Sequence, residues 1–316
     1  MPVRGVGFGR TPWGGRNRRV VGVVLVGHVS RTILPGGTLP GAGSGTYYFK
    51  AMLSAIPGPD RLAELYRYRE LIYNLVARDL KVRYKNSVIG VFWSLLNPLV
   101  MSAIFTFVFT VLMPSGLPNY ALYVLIGLLA WNWTVGAVVG GAQSIVSHGH
   151  LVRKVYFPTE VLPISTVLSN LINFMFALVP LFGLMLVLGQ VPGPQLVLLP
   201  LAILTQLIFL SGLALAASAL NVPFRDTAAV LDVLMLGWFF LTPVFYRVED
   251  LAGGWSRLMY IVNPLASIIA NYRVLLYYNT WPDPLFMLRT LAQALLVLAA
   301  GYLVFSLLRD RLPEEV

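Results

Sequence analysis

Six apolar stretches set the fold of this 316-residue chain, because each approaches the roughly twenty residues that a helix needs to cross a bilayer. Hydrophobic residues make up 57% of the chain and charged residues only 11%, against roughly 25% charged in a soluble domain. The sequence therefore predicts an all-α integral membrane protein with a six-helix transmembrane domain over residues 91–316. The expected spans are residues 92–113, 120–139, 166–188, 196–220, 229–246 and 288–308.

Residues 247–287, between the fifth and sixth stretches, are too polar to cross the membrane as one helix, yet they contain short apolar pieces. Two structures fit this pattern. One is a folded cap, and the other is a pair of re-entrant half-helices that break at Asn263 and Pro264. Either one would face outward.

The distribution of Lys and Arg gives the orientation. Thirteen lie in residues 50–85, in the loops after the second and fourth spans and in the C-terminal segment, whereas four lie on the other side. Both termini are therefore expected in the cytoplasm. The formal charge of +10 is attributed to these loops and to anionic membrane lipids, and no nucleic acid partner is expected.

Residues 1–50 are rich in Gly, Pro and Arg, and their one apolar run is interrupted by Gly22, Gly27 and His28. A secretory signal needs a continuous apolar region followed by a small-residue cleavage site, and this segment matches poorly. A disordered extension, or a start assigned upstream of a truer one at Met52, is the favoured interpretation.

Residues 51–90 are expected to form a cytoplasmic amphipathic helix that runs without a linker into the first span, as RDLKVRYKNSVIGVFWSLLNP. Polar residues recur there at steps of three and four, opposite Tyr68, Ile72 and Val76. Such a helix belongs in the interface plane of the membrane. It is either an ordinary basic anchor or an element that passes force into the span. The polar stripe consists of Arg67, Glu70, Asn74, Arg78, Lys81 and Lys85.

The loop after the second span, GHLVRKVYFPTEVLP over residues 149–163, carries more than a connection requires. It combines two cations with Val152, Val155, Tyr156 and Phe157, all expected to be exposed to water. Exposed apolar and aromatic residues mixed with charge indicate a docking surface for another protein.

The segments RDLKVRYKNSVIGVFWSLLNPLV and LVRKVYFPTEVLP resemble the membrane subunits of ATP-binding-cassette exporters of the polysaccharide and polyol-phosphate type, over residues 64–311 in order and topology. The resemblance implies an interface helix and a coupling loop that contact an ATPase subunit, with a second short contact after the fourth span. The interface helix would use Arg78, Asp79, Lys81, Arg83 and Tyr84, and the coupling contacts would use Arg153, Lys154, Tyr156, Phe157, Glu160, Arg225 and Asp226.

No phosphate-binding G-x-x-x-x-G-K-[ST] motif occurs in the sequence. ATP hydrolysis is therefore expected on a separate subunit that binds MgATP, with no cofactor on this chain, which would be a permease and not an enzyme. His148 and His150 have no neighbouring carboxylate or third histidine, so no metal site is expected. Uncharged polar residues within the spans, such as Asn170 and Asn173, are more often interhelical hydrogen-bonding groups than substrate ligands.

Aromatic residues gather toward the outer ends of the spans, where a membrane-interface belt accounts for many of them. Others could line a conduit, because ring faces stack on sugars without fixing one register. The expected substrate path is Tyr123, Trp131, Phe239, Phe240 and Tyr246.

Together these features predict a homodimeric permease that works with two copies of an ATPase subunit and exports a lipid-linked polysaccharide of the O-antigen or teichoic-acid kind. Six helices alone hardly enclose a path wide enough for a glycan, whereas a symmetric pair can. Two alternatives stay open. One is an exporter of small amphiphiles such as drugs, and the other is a membrane-embedded glycosyl- or acyltransferase.

Overall fold

The computed structural model describes residues 66–84, 91–112, 116–250 and 254–312. The expectations for residues 1–50, for residues 51–65, and for the junction without a linker at residues 85–90 lie outside these ranges. The described part is helical and contains no strand, which confirms the all-α prediction for it. Its α-helices are α1 Arg69–Tyr84, α2 Val91–Phe107, α3 Tyr120–Ser147, α4 Gly149–Lys154, α5 Val161–Val187, α6 Leu199–Asn221, α7 Thr227–Leu241, α8 Trp255–Val262, α9 Pro264–Leu276 and α10 Pro284–Leu308.

Four helices, namely α3, α5, α6 with the 3-10 turn before it, and α10, are long and apolar enough to cross a membrane. The bent pair of α8 and α9 raises the number to five if it forms one span. The first and fifth expected spans correspond to shorter apolar helices, although α2 continues as a π-helix over Val108–Leu112. The protein is therefore a multi-pass membrane protein.

Helix α7 is 15 residues long and ends at Leu241, before the expected end of its span at residue 246. The chain turns there because Arg273 of α9 binds the backbone that follows. Its two terminal nitrogens donate to the carbonyl oxygens of Pro243 and Val244, each at 2.7 Å. A cation at the C-terminal end of a helix also favours the helix dipole. The sequence suggests that Arg273 is a cation of the outer loop, whereas its side chain is buried in the structure.

The segment expected to form the cap contains α8 and α9, which meet at 104° across Asn263, where the sequence predicts a break. The Asn263 side chain holds the bend, since it accepts from Trp238 Nε1 at 3.2 Å and donates to Thr242 Oγ1 at 3.0 Å. Before α8, Arg247 donates to both carboxylate oxygens of Asp250, and this hydrogen bonding lowers the pKa of Asp250.

Helix α3 is the centre of the bundle: 78% of its apolar window is buried, against 17–39% in the other candidate spans. It runs to Ser147, eight residues past the expected end at residue 139. The extension packs against two neighbours, with Gly140 next to Thr166 of α5 and Gly141 next to Ala214 of α6. Gly is only weakly hydrophobic, and Ser and Gln are polar. Apolarity alone therefore underestimates the length of this helix.

Helices α6 and α10 pack most closely where Gly212 and Gly301 meet. A Cβ on Gly301 would overlap the Gly212 carbonyl group, and one on Gly212 would lie 2.6 Å from Leu298 Cα. Both obstructions are backbone atoms, so a side chain cannot be accommodated by a rotamer change. Small residues allow this approach, as in other membrane helix pairs.

We expect Gly301→Ala to destabilise the protein by about 1–3 kcal/mol, the usual range for overpacking a filled interior. Thermal unfolding of the purified chain in detergent micelles measures the effect. The matched control is Gly183→Ala in α5, where an added Cβ meets nothing within 4 Å. Equal melting temperatures for the two variants would contradict the close packing of α6 and α10.

Candidate functional site

The end of α3 expected to lie in the cytoplasm turns at His148 into the short helix α4, which presents two cations. Arg153 and Lys154 occupy its last turn and are exposed. The following residues run extended into water, with Val155 51% and Tyr156 95% exposed. An exposed tyrosine beside cations fits the composition of protein docking surfaces.

An open cleft of about 790 Å³ joins this segment to the turn between α6 and α7. His150, Arg153 and Lys154 contribute one side, and Arg225 contributes the other. No carboxylate occurs among the described residues that line it. The structure thus brings together cations from the loops after the second and fourth expected spans, and a surface of this kind recognises acidic or carbonyl groups of a partner.

The turn between α6 and α7 is fixed to the same end of α3. Asn221, the last residue of α6, is buried and donates from Nδ2 to the Ala142 carbonyl oxygen at 2.9 Å. Arg225 and Asp226, just before α7, are exposed. Both contact segments are therefore held by α3, so a force on either one acts on the central helix.

Helix α1 is joined to this surface by apolar packing and by one polar contact. Leu75 lies in a buried cluster with Val152 and Phe157, and Arg78 contacts the ring of His148. Arg78 and Lys81 remain exposed, and Asp79 is 3.4 Å from Arg78. Helix α1 and the segment around α4 therefore pack against each other directly.

Two expectations for the coupling loop are wrong, because Val152 and Phe157 are buried at 9% and 7% exposure. Both anchor the loop to α1 and α5. Glu160 is also buried, and it pairs with Arg309 of the C-terminal turn at 3.4 Å. Of the expected docking residues after Lys154, the structure leaves Val155 and Tyr156 exposed.

The end of α1 is hydrogen-bonded to α5. Arg83 donates to Asn170 Oδ1 at 3.3 Å, and the Tyr84 hydroxyl donates to Asn173 Oδ1. Asn170 lies about 13 Å along α5 from its first residue, Val161, by the rise of an α-helix. Helix α1 thus packs along α5, and the two asparagines give its polar end hydrogen-bond partners.

The aromatic residues expected along the substrate path divide into two groups. Tyr123 and Trp131 are buried, at 2% and 7% exposure, although Tyr123 contributes to the lining of a pocket next to α9. The Arg273 guanidinium lies 3.6 Å from the centre of the Tyr123 ring, and Trp131 packs against Phe239. Phe239 and Tyr246 are half-buried, and Phe240 is 58% exposed.

Residues 70–277 match the family model described as "ABC-2 type transporter". The chain belongs to this family. It is 36% identical over 254 residues to the O-antigen export system permease protein RfbA of Myxococcus xanthus, covering 80% of this chain and 98% of that protein. Two Klebsiella pneumoniae proteins of the same name are 31% identical, covering 65% and 67% of this chain and 80% and 82% of theirs.

Family membership confirms the resemblance drawn from the two sequence segments. This ABC-2 chain is the membrane subunit of a transporter and not an enzyme, which removes the transferase alternative. The sequence-based site prediction does not include two structurally important residues, Arg273 and Arg309. Neither has a sequence signal beyond its charge, because each has partners that lie far away along the chain.

We expect Arg309→Gln to lower the free energy of unfolding by about 1–3 kcal/mol. This is below the roughly 3–5 kcal/mol of a fully buried pair, because Arg309 is 31% exposed and solvent screens the interaction. Adding Glu160→Gln should restore part of the loss by removing the unpaired charge. Unfolding of both variants in micelles tests this, and strictly additive losses would show that the two groups do not interact.

Proposed function

We propose that this chain is the permease subunit of an ATP-driven exporter that moves a lipid-linked polysaccharide, O-antigen-like or teichoic-acid-like, across a bacterial plasma membrane. The observation that carries the proposal is the cationic cleft that unites the two cytoplasmic contact segments. Similarity to O-antigen export permeases over most of the chain supports the cargo class. An exporter of small amphiphiles has no comparable support.

The ATPase is a separate subunit, present in two copies, that binds MgATP. It docks on Arg153, Lys154 and Arg225, with the exposed ring of Tyr156 at the edge. Closure of the ATPase pair pushes α4, and the buried anchors Val152 and Phe157 pass the movement to α1 and α5. Phe157 and Glu160 therefore act by positioning the coupling segment and not by touching the partner.

A second copy of the chain completes the path. Helix α7 buries only Met235 among its described residues, and Asp232, Leu236 and Phe240 recur at four-residue steps along its exposed side. A carboxylate that faces lipid is unfavourable even near the end of a span, where Asp232 lies, so this side is better covered by protein. Gly237, with nothing near its missing Cβ, permits close approach.

In this arrangement α2 and α7 complete six spans with both termini in the cytoplasm. Helices α8 and α9 then form the outer gate, fixed to α7 through Arg273 and Asn263. Phe240 lines the shared path, because it is the exposed member of the aromatic set. Its ring offers an apolar face on which a sliding sugar polymer can stack.

The coupling surface can be tested by reversing its charge. We expect Arg153→Glu with Lys154→Glu and Arg225→Glu to abolish co-purification of the ATPase encoded beside this gene and to reduce polysaccharide at the cell surface at least tenfold, because acidic groups would repel the partner. Arg257→Glu, on exposed α8 at the opposite side of the membrane, is the control for co-purification of the ATPase. Unchanged export by the triple variant would refute the coupling assignment, and ATP-driven export of small amphiphiles without polymer would favour the alternative cargo.

The dimer can be tested by cross-linking, because the chain contains no cysteine. We expect Val233→Cys, on the exposed side of α7, to form a disulfide-linked dimer under mild oxidation in membranes. Val179→Cys in α5 is the control, since Val233 and Val179 are 71% and 70% exposed. Dimers from Val179→Cys alone would place the subunit contact on α5 instead.

A further inference from the structure

A small polar pocket of about 120 Å³ lies among α1, α2, α3 and α5, apart from the cationic cleft. Arg83 of α1 enters it from one side. Asn132 and Trp133 of α3 and Asn170 and Asn173 of α5 supply its other polar groups. The space holds a few waters or one tetrahedral oxyanion, and it is too small for a stretch of polymer.

The pocket lies within the expected spans, toward the end of each that is expected in the cytoplasm: Asn132 is seven residues before the end at residue 139, and Asn170 is four residues after the start at residue 166. Asn132 is about 18 Å from the start of α3 at Tyr120 and about 22 Å from its end at Ser147, by the rise of an α-helix. The Arg83 side chain is exposed in this chain, so its charge is open to a ligand. Within the described ranges, no carboxylate pairs with Arg83, and none lines the pocket.

Hydrogen bonding leaves donors available in this pocket. The amide oxygens of Asn170 and Asn173 accept from Arg83 and Tyr84, so the protein already uses them. Asn170 Nδ2 donates to the Thr166 carbonyl oxygen at 2.9 Å. Asn173 Nδ2 is buried and has no hydrogen-bond partner. An unpaired buried donor of this kind is stabilised by a ligand that accepts.

The backbone of α3 is shaped to keep Asn170 in place. A Cβ on Gly136 would lie 2.5 Å from Asn170 Oδ1, so any larger residue would displace the amide that orients Arg83. The indole of Trp133 is fixed as a wall, because its Nε1 donates to the Val167 carbonyl oxygen at 3.4 Å. The polar groups are thus held by packing before a ligand arrives.

We propose that this pocket binds a phosphate group of a membrane-embedded amphiphile, through the Arg83 guanidinium and the amide nitrogens around it. The planar fork of arginine matches the geometry of phosphate oxygens. Assigning the amphiphile to the lipid-linked cargo rests on the function proposed above.

The location gives the pocket a route to the coupling surface. Arg83 and Arg78 belong to the same helix, and Arg78 contacts His148 next to α4. A phosphate that draws Arg83 inward moves α1 along α5, and the movement reaches the segment that docks the ATPase. Occupancy of the pocket would in this way be sensed at the cytoplasmic surface.

The test measures binding of geranylgeranyl diphosphate to the full chain in phosphatidylcholine nanodiscs without the ATPase. We expect Arg83→Gln and Asn132→Leu each to weaken binding at least tenfold, the effect of losing hydrogen bonds to a charged group. Arg69→Gln, an exposed arginine on the same helix, should bind as the unmodified chain does. Geranylgeraniol, which lacks the phosphates, should not compete.

Unchanged binding by both pocket variants would overturn the proposal. If Arg83→Gln fails to fold, Asn132→Leu decides, because its side chain is exposed in the pocket. Competition by phosphatidylglycerol as strong as by the diphosphate would overturn the assignment to cargo and identify a phospholipid headgroup. The proposed function fails separately, if the unmodified chain with its ATPase exports no polysaccharide, since probe binding needs neither ATP nor the partner.

Discussion

The structure depends on how closely the neighbouring helices approach α3. In lipid the hydrophobic effect does not draw helices together, so contact between backbones and buried hydrogen bonds must hold them. Three glycines of α3 each allow a different neighbour to come close. Gly127 lies next to the turn that Arg273 binds, Gly136 next to Asn170 of α5, and Gly141 next to Ala214 of α6. Because α3 carries the cap at one end and the coupling segment at the other, these contacts connect the two faces of the transporter.

Buried polar groups give this packing its register. Gln206 of α6 donates to the Ala130 carbonyl oxygen at 2.8 Å, and Asn221 donates to that of Ala142, about two turns before Gly149. Arg273 fixes the position of the cap in the same way, because it donates to the carbonyl oxygens of Pro243 and Val244. A polar group without a partner in lipid is costly, so each of these residues fixes one arrangement of helices. These hydrogen bonds therefore also fix the position of the loop at residues 149–163.

Much of the coupling surface could be predicted from the sequence, and its interior could not. The exposure of Arg153, Lys154 and Tyr156 follows from charge and from a short loop bounded by prolines. Phe157 has a similar local pattern, yet it is buried against Leu75 of α1, about eighty residues earlier. Local composition cannot distinguish them, because which side of a loop is covered depends on a distant element. Likewise, the position of Arg83 depends on Asn170 and Asn173.

The sequence by itself determined the class of this protein: apolar stretches of membrane length, a basic segment leading into the first, and two motifs typical of the ABC-2 family. These properties are local, since they arise from composition and spacing along one stretch of chain. Only the tertiary structure decided that α7 stops at Leu241, that Tyr123 and Trp131 are buried, and that the end of α1 is hydrogen-bonded to α5. Each of those outcomes depends on contacts between residues far apart in sequence, which no local pattern encodes.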